Sequence, residues 1–349
     1  DQLSLKNEAQ WLRVPHETYE NLSFNVGLRS DFVKLVRTIR ECSILVRKPA
    51  LDVTNALNHL RPQIPPIRYI LYGLSGNGKS VSLHHIIYWA HVQKWVVCWF
   101  PKTYKYRRNA KECIQSTWKS GRIDLPEESS LWLTQFAKMN ASLLDNPKLV
   151  TTKKYNWAPG ETTEKGRPLT DLIKTGSTRI KTASDCMAAL LRELKHYSKC
   201  QEIKLLLCID QVNSLFGPTN LRRIDNYCAE PEDVTIMRAI LDLLDADWNN
   251  GAIVTSIDAM EKDQHLPGSP STVNLPYYLL GRDGMNQLQP FVPIEVPPYT
   301  FEEAHSCVDF YVDRHWLINE KFQTPAGRDE MFRLVDFNAN LLERVCSGR

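Results

Sequence analysis

The stretch YILYGLSGNGKSVSLHHII, from Tyr69 to Ile87, joins a run of apolar β-forming residues to a helical pattern through a glycine-rich loop. Within it, GLSGNGKS matches the P-loop pattern G-x-x-x-x-G-K-[ST], with Gly73, Gly78, Lys79 and Ser80 at the fixed positions. In such a loop, backbone N–H groups wrap the phosphates of a nucleotide, the lysine reaches the terminal phosphates and the hydroxyl binds Mg²⁺. Because a strand pattern leads into the loop and a helical pattern leads out, the stretch predicts a phosphate-binding loop rather than an ordinary glycine turn.

Five short apolar runs are spread along the chain, and helical patterns separate them. Their residues are apolar in succession rather than in alternation, which is typical of strands buried on both faces of a parallel sheet. The runs are IRYILYG (67–73), KWVVCWF (94–100), IKLLLCID (203–210), GAIVTSI (251–257) and FVPIEV (291–296). Together with the P-loop they predict an α/β fold, a P-loop NTPase domain with a parallel sheet in three layers.

The rest of the pattern predicts helices before, within and after this domain. Ser30 is the expected N-cap of a helix over SDFVKLVRTIREC, and Thr300 with Glu303 predicts a capping box at the start of a C-terminal helical segment. The predicted parts are an N-terminal arm at 1–50, a nucleotide-binding core at 51–297 with a helical insertion at about 101–200, and a C-terminal helical lid at 298–349.

Composition limits the class of protein. The chain is 43% apolar and 24% charged, which is ordinary for a soluble globular protein, and it holds no apolar run of the ~18 residues that a membrane span needs. The net charge of +3 gives no global argument for nucleic acid, and the nine cysteines form no CxxC pair, which argues against a zinc site or a disulfide scaffold. The sequence starts at Asp1 rather than Met, so a targeting segment removed upstream is compatible with it.

The two residues after the third predicted strand indicate how Mg²⁺ would be held and whether the nucleotide would be hydrolysed. A hard cation on nucleotide phosphates is usually held by a carboxylate at the end of a buried strand, and LLLCID supplies Asp210. The next residue is Gln211, where P-loop ATPases commonly carry a glutamate, and an amide cannot take a proton from water. We therefore expect little or no hydrolysis, although Gln211 could still orient a water molecule.

The sequence indicates less clearly which residues would contact the nucleoside and the terminal phosphate. Thr255 and Ser256 end the fourth strand, where a hydroxyl could sense the γ-phosphate, but both residue types are common at strand ends. The N-K-x-D string of small GTPases is absent, so ILVRKPALDV (44–53), including Arg47, is the remaining candidate for the base. A helix start with Pro49 in its first turn explains the same segment equally well.

A basic segment, KTYKYRRNAKECIQSTWKSGR (102–122), carries seven Lys or Arg against one Glu, with Tyr104, Tyr106 and Trp118 between them. This mixture suits contact with an RNA backbone and stacking on bases. A solvated charged face or a site for an acidic protein partner would have the same composition.

The chain resembles the death-associated protein 3 family of mitochondrial small-subunit ribosomal proteins, from about LVRKPAL to LLERVC. The segments that carry the resemblance are RYILYGLSGNGKS, YNWAPGETTEKGRPL, DWNNGAIVTSI and NANLLERVC. It implies an AAA-like P-loop fold, a bound GTP or GDP with Mg²⁺ (ATP being an alternative), location in the mitochondrial matrix and its ribosome, small-subunit proteins as partners, and a link to apoptosis.

The resemblance also implies roles for single residues. Ser80 and Asp210 would hold Mg²⁺. The residues implied to contact the nucleotide are Leu45, Val46 and Arg47 on the nucleoside side, Gly73, Leu74, Ser75, Gly76, Asn77, Gly78, Lys79, Ser80 and Val81 around the phosphates, and Gln211 and Thr255 beyond them. Two functions remain open: a structural ribosomal protein that keeps its nucleotide, which Gln211 favours, and an active P-loop NTPase in apoptotic signalling.

Overall fold

The computed structural model describes residues 7–116, 119–158, 160–223, 225–261 and 274–347, which form a mixed α/β protein. The strands are β1 (Trp11–Val14), β2 (Cys42–Leu45), β3 (Ile67–Tyr72), β4 (Val96–Phe100), β5 (Ile114–Gln115), β6 (Ile123–Asp124), β7 (Tyr155–Ala158), β8 (Glu161–Thr163), β9 (Leu205–Ile209), β10 (Gly251–Ser256) and β11 (Val292–Glu295). The α-helices are α1 (His16–Asn21), α2 (Phe24–Gly27), α3 (Ser30–Ile39), α4 (Lys48–Asn58), α5 (Lys79–Val92), α6 (Tyr104–Arg108), α7 (Pro126–Met139), α8 (Ala141–Leu144), α9 (Leu169–Thr178), α10 (Ala183–Lys199), α11 (Thr235–Leu244), α12 (Pro276–Leu288), α13 (Phe301–Asp313), α14 (Pro325–Val335) and α15 (Ala339–Cys346).

The central sheet has five strands in the order β11-β3-β10-β9-β4. Parallel pairing of β9 with β10 sets Leu205 opposite Gly251, and parallel pairing of β9 with β4 sets the same residue opposite Val96. Every residue of β4, β9 and β10 is buried, which explains why these strands are apolar in succession. All five predicted strands are confirmed, and β11, which contains Pro293, lies at an edge where proline is tolerated.

The chain forms two compact units. The first consists of Asp1–His59, Leu71–Tyr88 and Pro293–Arg349. Its C-terminal helices α13, α14 and α15 contribute most of a hydrophobic cluster, against which Trp11 of β1 packs. The Trp11 ring stacks on Phe310 with centroids 3.9 Å apart, and its Nε1 donates to Ser306 Oγ at 3.1 Å. Residues from both ends of the sequence therefore share one core.

The second unit consists of Leu60–Ile70 and Trp89–Val292, and it contains the predicted helical insertion. Helices α7, α9 and α10 pack on one another there. Trp132 of α7 stacks on Phe100 with centroids 5.0 Å apart and donates its Nε1–H to the Trp99 carbonyl at 2.9 Å. A buried indole needs such an acceptor, so this contact fixes α7 against β4.

Of the three helix starts discussed from the sequence, two agree with the structure and one differs. The capping box at α13 is confirmed, because Thr300 Oγ1 accepts from the Glu303 amide at 3.1 Å and Glu303 Oε2 accepts from the Thr300 amide at 2.9 Å. The helix start with Pro49 in its first turn is confirmed as α4. The cap predicted for α3 was wrong by one residue: Arg29 is the N-cap and Ser30 is already helical.

The predicted division into arm, core and lid stays a prediction. Two short antiparallel hairpins, β5–β6 and β7–β8, were not predicted, because strands of two to four residues are too short to show a period. Across the described part of the chain, none of the helices combines the length and apolar character that crossing a membrane demands.

Candidate nucleotide-binding site

The P-loop lies in the first unit, between the end of β3 and the start of α5. Gly73, Gly76 and Gly78 have φ values of +134°, +91° and +97°, which side chains rarely adopt. A Cβ on Gly73 would lie 2.5 Å from the Val296 carbonyl oxygen, and one on Gly76 would lie 2.5 Å from Asn338 Oδ1. The loop therefore keeps its shape only with glycine at these places.

Lys79 is the first residue of α5, and its ammonium group folds back over the loop. Nζ donates to the carbonyl oxygens of Gly73 at 2.8 Å and Leu74 at 3.0 Å, and the residue is only 8% exposed. Ser80 and Val81 follow in the first turn, where the Ser80 carbonyl accepts a hydrogen bond from His84 Nδ1 at 2.6 Å. A fixed cation at the N-terminus of a 14-residue helix is a favourable place for a phosphate.

The buried side chain of Arg47 is hydrogen-bonded to the P-loop. Its guanidinium is 4% exposed and binds Glu303 bidentately, at 2.9 Å to Oε1 and 3.0 Å to Oε2. Nη1 donates to the Asn77 carbonyl at 2.7 Å, and Nη2 to the Pro297 carbonyl at 3.0 Å. Its donors are hydrogen-bonded to protein groups, as a buried guanidinium requires, and contact of Arg47 with a nucleoside stays a prediction.

A pair of asparagines holds the same loop. Asn338 Nδ2 donates to the Ser75 carbonyl and to Asn77 Oδ1, both at 3.0 Å. Asn77 in turn donates to the Val296 carbonyl at 3.2 Å, and the amide of Asn340 donates to the Gly76 carbonyl at 3.0 Å. The start of α15 is thus hydrogen-bonded to the middle of the P-loop, which fixes the variable residues LSGN.

Leu45 and Val46, the other predicted nucleoside contacts, are buried at the end of β2. The Val46 amide donates to the Gln10 carbonyl at 2.8 Å, and its carbonyl accepts from the Ala9 amide at 2.9 Å. Their backbone is therefore used in pairing with the N-terminal segment. Contact of these residues with a nucleoside stays a prediction.

Asp210 lies in the second unit, directly after β9, and is 4% exposed. Its carboxylate accepts a hydrogen bond from Ser256 Oγ at the end of β10, and its carbonyl accepts from Thr103 Oγ1 at 2.8 Å. Burial and the neighbouring Lys105 lower the pKa of nearby Lys102, and the Asp210 carboxylate opposes this shift. A carboxylate at the end of a parallel strand is the type of group that we predicted for Mg²⁺.

Gln211 follows in the left-handed region, at φ 63°. Its Nε2 donates to Asp258 Oδ2 at 3.1 Å, while its Oε1 is buried without a hydrogen-bond partner among the described residues. Thr255 donates its hydroxyl to the Tyr69 carbonyl at 3.4 Å, so this side chain is directed into the sheet and Ser256 is the hydroxyl beside Asp210. The predicted nucleotide contacts of Gln211 and Thr255 stay predictions.

The basic segment 102–122 is less aromatic on its surface than the sequence suggests. Tyr106 is buried, and burial raises the pKa of its phenol. Tyr104 is half-buried, and Trp118 lies outside the described residues. Tyr106 is therefore a core residue and cannot stack on a base.

Three residues that shape these sites were not identified from sequence. Glu303 is hydrogen-bonded to Arg47, 256 residues away, and Asn338 to Asn77 of the loop, 261 residues away, and such distances leave no local pattern. Glu303 was predicted only as part of a capping box. Asp258 could have been found, because it follows β10 just as Asp210 follows β9, and carboxyl ends of parallel strands meet at one edge of a sheet.

Comparison with known proteins agrees with the resemblance. Residues 44–344 match the model of the family described as mitochondrial ribosomal death-associated protein 3. The chain is 36% identical over 327 residues to the small ribosomal subunit protein mS29 of Bos taurus, covering 93% of this chain and 80% of that protein. It is 34% identical over 346 residues to the mS29 protein of Mus musculus, covering 98% and 86%. The chain belongs to the mitochondrial ribosomal death-associated protein 3 family.

Proposed function

We propose that this chain is a structural component of the mitochondrial small ribosomal subunit that binds a guanine nucleotide with Mg²⁺ in its P-loop and hydrolyses it slowly or not at all. The family is mitochondrial and ribosomal, and two relatives are named as small-subunit proteins. The chain is accordingly a protein of the mitochondrial ribosome, in the matrix, with small-subunit proteins as partners.

The observation that carries nucleotide binding is the fixed position of Lys79 over a loop of left-handed glycines. Bound phosphates would replace the Gly73 and Leu74 carbonyls as acceptors for the ammonium group. They would also accept hydrogen bonds from the backbone amides between Gly73 and Ser80. Mg²⁺ would neutralise phosphate charge, and its predicted ligands are Ser80 and Asp210. These two belong to different units, and their joint role stays a prediction.

Slow turnover follows from Gln211. An amide cannot act as a general base, and the Nε2 end of this amide is hydrogen-bonded to Asp258. The nucleotide would then stay bound as part of the structure. We also propose an rRNA contact through segment 102–122, in which Lys105 and Arg108 are exposed.

The test compares Lys79→Ala with Lys34→Ala, an exposed lysine in the same unit. Nucleotide extracted from protein purified without added nucleotide should be GTP or GDP in the wild type and in the control, and absent from Lys79→Ala. The free energy of unfolding should fall by about 2.7 kcal/mol if the wild type normally works at about a hundred times its Kd. Equal nucleotide content in the two variants would contradict the assignment.

Two further measurements address the role of the nucleotide. Turnover at the ~1 to 100 per second of kinases would contradict a structural function and favour the signalling NTPase. In cells that lack the native protein, nucleotide-free Lys79→Ala should fail to co-sediment with the small subunit on a sucrose gradient. Full co-sedimentation with normal mitochondrial translation would show that the nucleotide is dispensable.

A further inference from the structure

A groove with a volume of about 1190 Å³ opens within the second unit, between the β7–β8 hairpin and helices α10 and α11. Sites for single small molecules usually have volumes of ~300 to 1,000 Å³. The groove is therefore large enough for a segment of a polymer, and none of its lining residues belongs to the candidate nucleotide site.

The lining of the groove is positively charged. It contains eight Lys or Arg against four Asp or Glu. Two of the acids are already paired: Glu161 with Arg179, and Asp242 with Arg238 at 2.9 Å. The groove thus has surplus positive charge available for an anionic partner.

Four of the basic residues have no ion-pair partner within 4 Å in the described part of the chain, and they are Arg122, Lys153, Lys181 and Arg192. Arg122 is half-buried and the other three are exposed. A third acid, Asp185, lies within the fields of Arg192 and Arg122, the latter from the basic segment 102–122. The available cations therefore come from several segments of the unit and not from one run of sequence.

The hairpin adds an aromatic platform, formed by the half-buried ring of Trp157 lying on the buried ring of Tyr155. Tyr155 and Trp157 stack with ring centroids 5.5 Å apart and planes 6° apart, and Lys153 Nζ lies 5.4 Å above the Tyr155 ring. Tyr155 donates its hydroxyl to the buried Glu193 carboxylate at 2.6 Å, and Glu193 also accepts from the Thr152 amide at 3.1 Å. These bonds fix the platform before any partner binds, so little order would have to be gained on binding.

We propose that this groove binds a segment of single-stranded RNA, with phosphates on its lysines and arginines and a base against Trp157. Cations that follow a backbone, combined with an aromatic surface, are the features by which proteins hold single strands without reading sequence. An acidic protein segment would use the charge but would gain little from the flat indole ring of Trp157. RNA binding here does not depend on nucleotide in the P-loop.

The first experiment measures the charge contribution in the full chain. Fluorescence anisotropy with a labelled decauridine is recorded from 50 to 200 mM salt for the wild type, for Lys153→Gln/Lys181→Gln and for the control Lys138→Gln/Lys174→Gln. The control lysines are exposed in the same unit but lie outside the groove. Loss of two phosphate contacts should lower the slope of log affinity against log salt by about 1.4. An unchanged slope in the groove variant, or an equal drop in the control, overturns the proposal.

The second experiment separates RNA from an acidic protein. Trp157→Ala should weaken decauridine binding about tenfold, the loss of one stacked base, whereas Trp157→Phe should retain most of the affinity. Polyglutamate of the same charge should bind more weakly than the RNA and should not respond to Trp157→Ala. Equal binding of polyglutamate, or no loss with Trp157→Ala, favours a protein partner and overturns the proposal.

Both experiments include controls for folding and for the nucleotide. Melting temperatures of all variants are measured, and if Trp157→Ala does not fold, the lysine pair and the comparison of decauridine with polyglutamate still decide the outcome. Nucleotide content is measured on the same preparations. If a variant loses RNA binding but keeps its nucleotide, the proposed function still stands. If the nucleotide is missing but RNA binding is kept, the proposal of an RNA-binding groove still stands.

Discussion

Single residues show how the protein compensates for buried charge. The Arg47–Glu303 pair is 5% and 2% exposed at its side chains, and removing two charges from water costs several kcal/mol each. Here the cost is offset because the guanidinium has acceptors on all three nitrogens and the carboxylate also accepts the Thr300 amide. One ion pair therefore joins the P-loop, the segment after β11 and the start of α13.

Asp185 gives a prediction on pH. Burial and the neighbouring Asp124 raise its pKa from 3.8 to about 6, against the opposing effect of Arg192 and Arg122. Between about pH 4 and 6 the folded state keeps a proton that the unfolded chain has lost, so the free energy of unfolding falls as pH rises through this window. Above pH 6 both states are ionised and the loss is complete.

Asp185→Asn should therefore flatten the decline in melting temperature between pH 4 and 6 and raise stability at pH 7. Burial also raises the pKa of Asp124. The variant should therefore keep part of the decline in melting temperature with pH. The control is Asp329→Asn, an exposed carboxylate in the other unit. If the melting temperatures of Asp185→Asn and the wild type decline in parallel over this window, the assignment is wrong.

At the scale of elements, α15 is bonded to the P-loop through its own N-cap. Asn338 Oδ1 accepts from the Asn340 amide at 3.2 Å and from the Leu341 amide at 3.1 Å, and its Nδ2 donates to the Ser75 carbonyl of the loop. One side chain thus begins a helix and orients the residues around Asn77. This links the P-loop to the C-terminal helices of the same unit.

The two functions of Asn338 can be separated by mutation. Asn338→Asp keeps an acceptor for the cap but loses the donor to the Ser75 carbonyl, so nucleotide affinity should fall while the helix is retained. Thr324→Ala removes the cap of α14, where Thr324 accepts from Gly327, and should cost ~1 kcal/mol without changing nucleotide affinity. Calorimetric titration with GDP and thermal melting measure both. Equal affinity in Asn338→Asp and the wild type would show that the contact to the loop is incidental.

At the scale of the whole molecule, the first unit gathers residues 1–59, 71–88 and 293–349. If the nucleotide stabilises this unit, its removal should loosen the contacts between these distant segments. We expect faster hydrogen exchange in Lys79→Ala, by up to about a hundredfold, over the P-loop and α15. The β7–β8 hairpin of the second unit should exchange at an unchanged rate.

Mass spectrometry of exchanged peptides measures this, with GDP-saturated wild type as reference. Faster exchange over both units alike would mean that Lys79→Ala destabilises the fold as a whole. Unchanged exchange at α15 would mean that the N-cap of α15 does not respond to the nucleotide.

The sequence by itself determined the strands of the central sheet, the glycine-rich loop between β3 and α5 and the capping box at Thr300. These features are local: a strand buried on both faces must be apolar at every position, a tight loop needs glycine where φ is positive, and a cap needs its partner three residues later. The same logic located Asp210 at the end of a buried strand. It missed Asp258, although the rule applies equally there.

Only the tertiary structure decided which side chains hold the loop and which are free to meet a partner. Arg47, a candidate for the base in the sequence, forms its ion pair with Glu303, 256 residues away. Tyr106 read as a stacking residue, yet it is buried, whereas Trp157 forms a platform in an unpredicted hairpin. The physical reason is that a side chain's partner depends on which segments the fold brings together, and residue type and spacing along the chain do not contain that information.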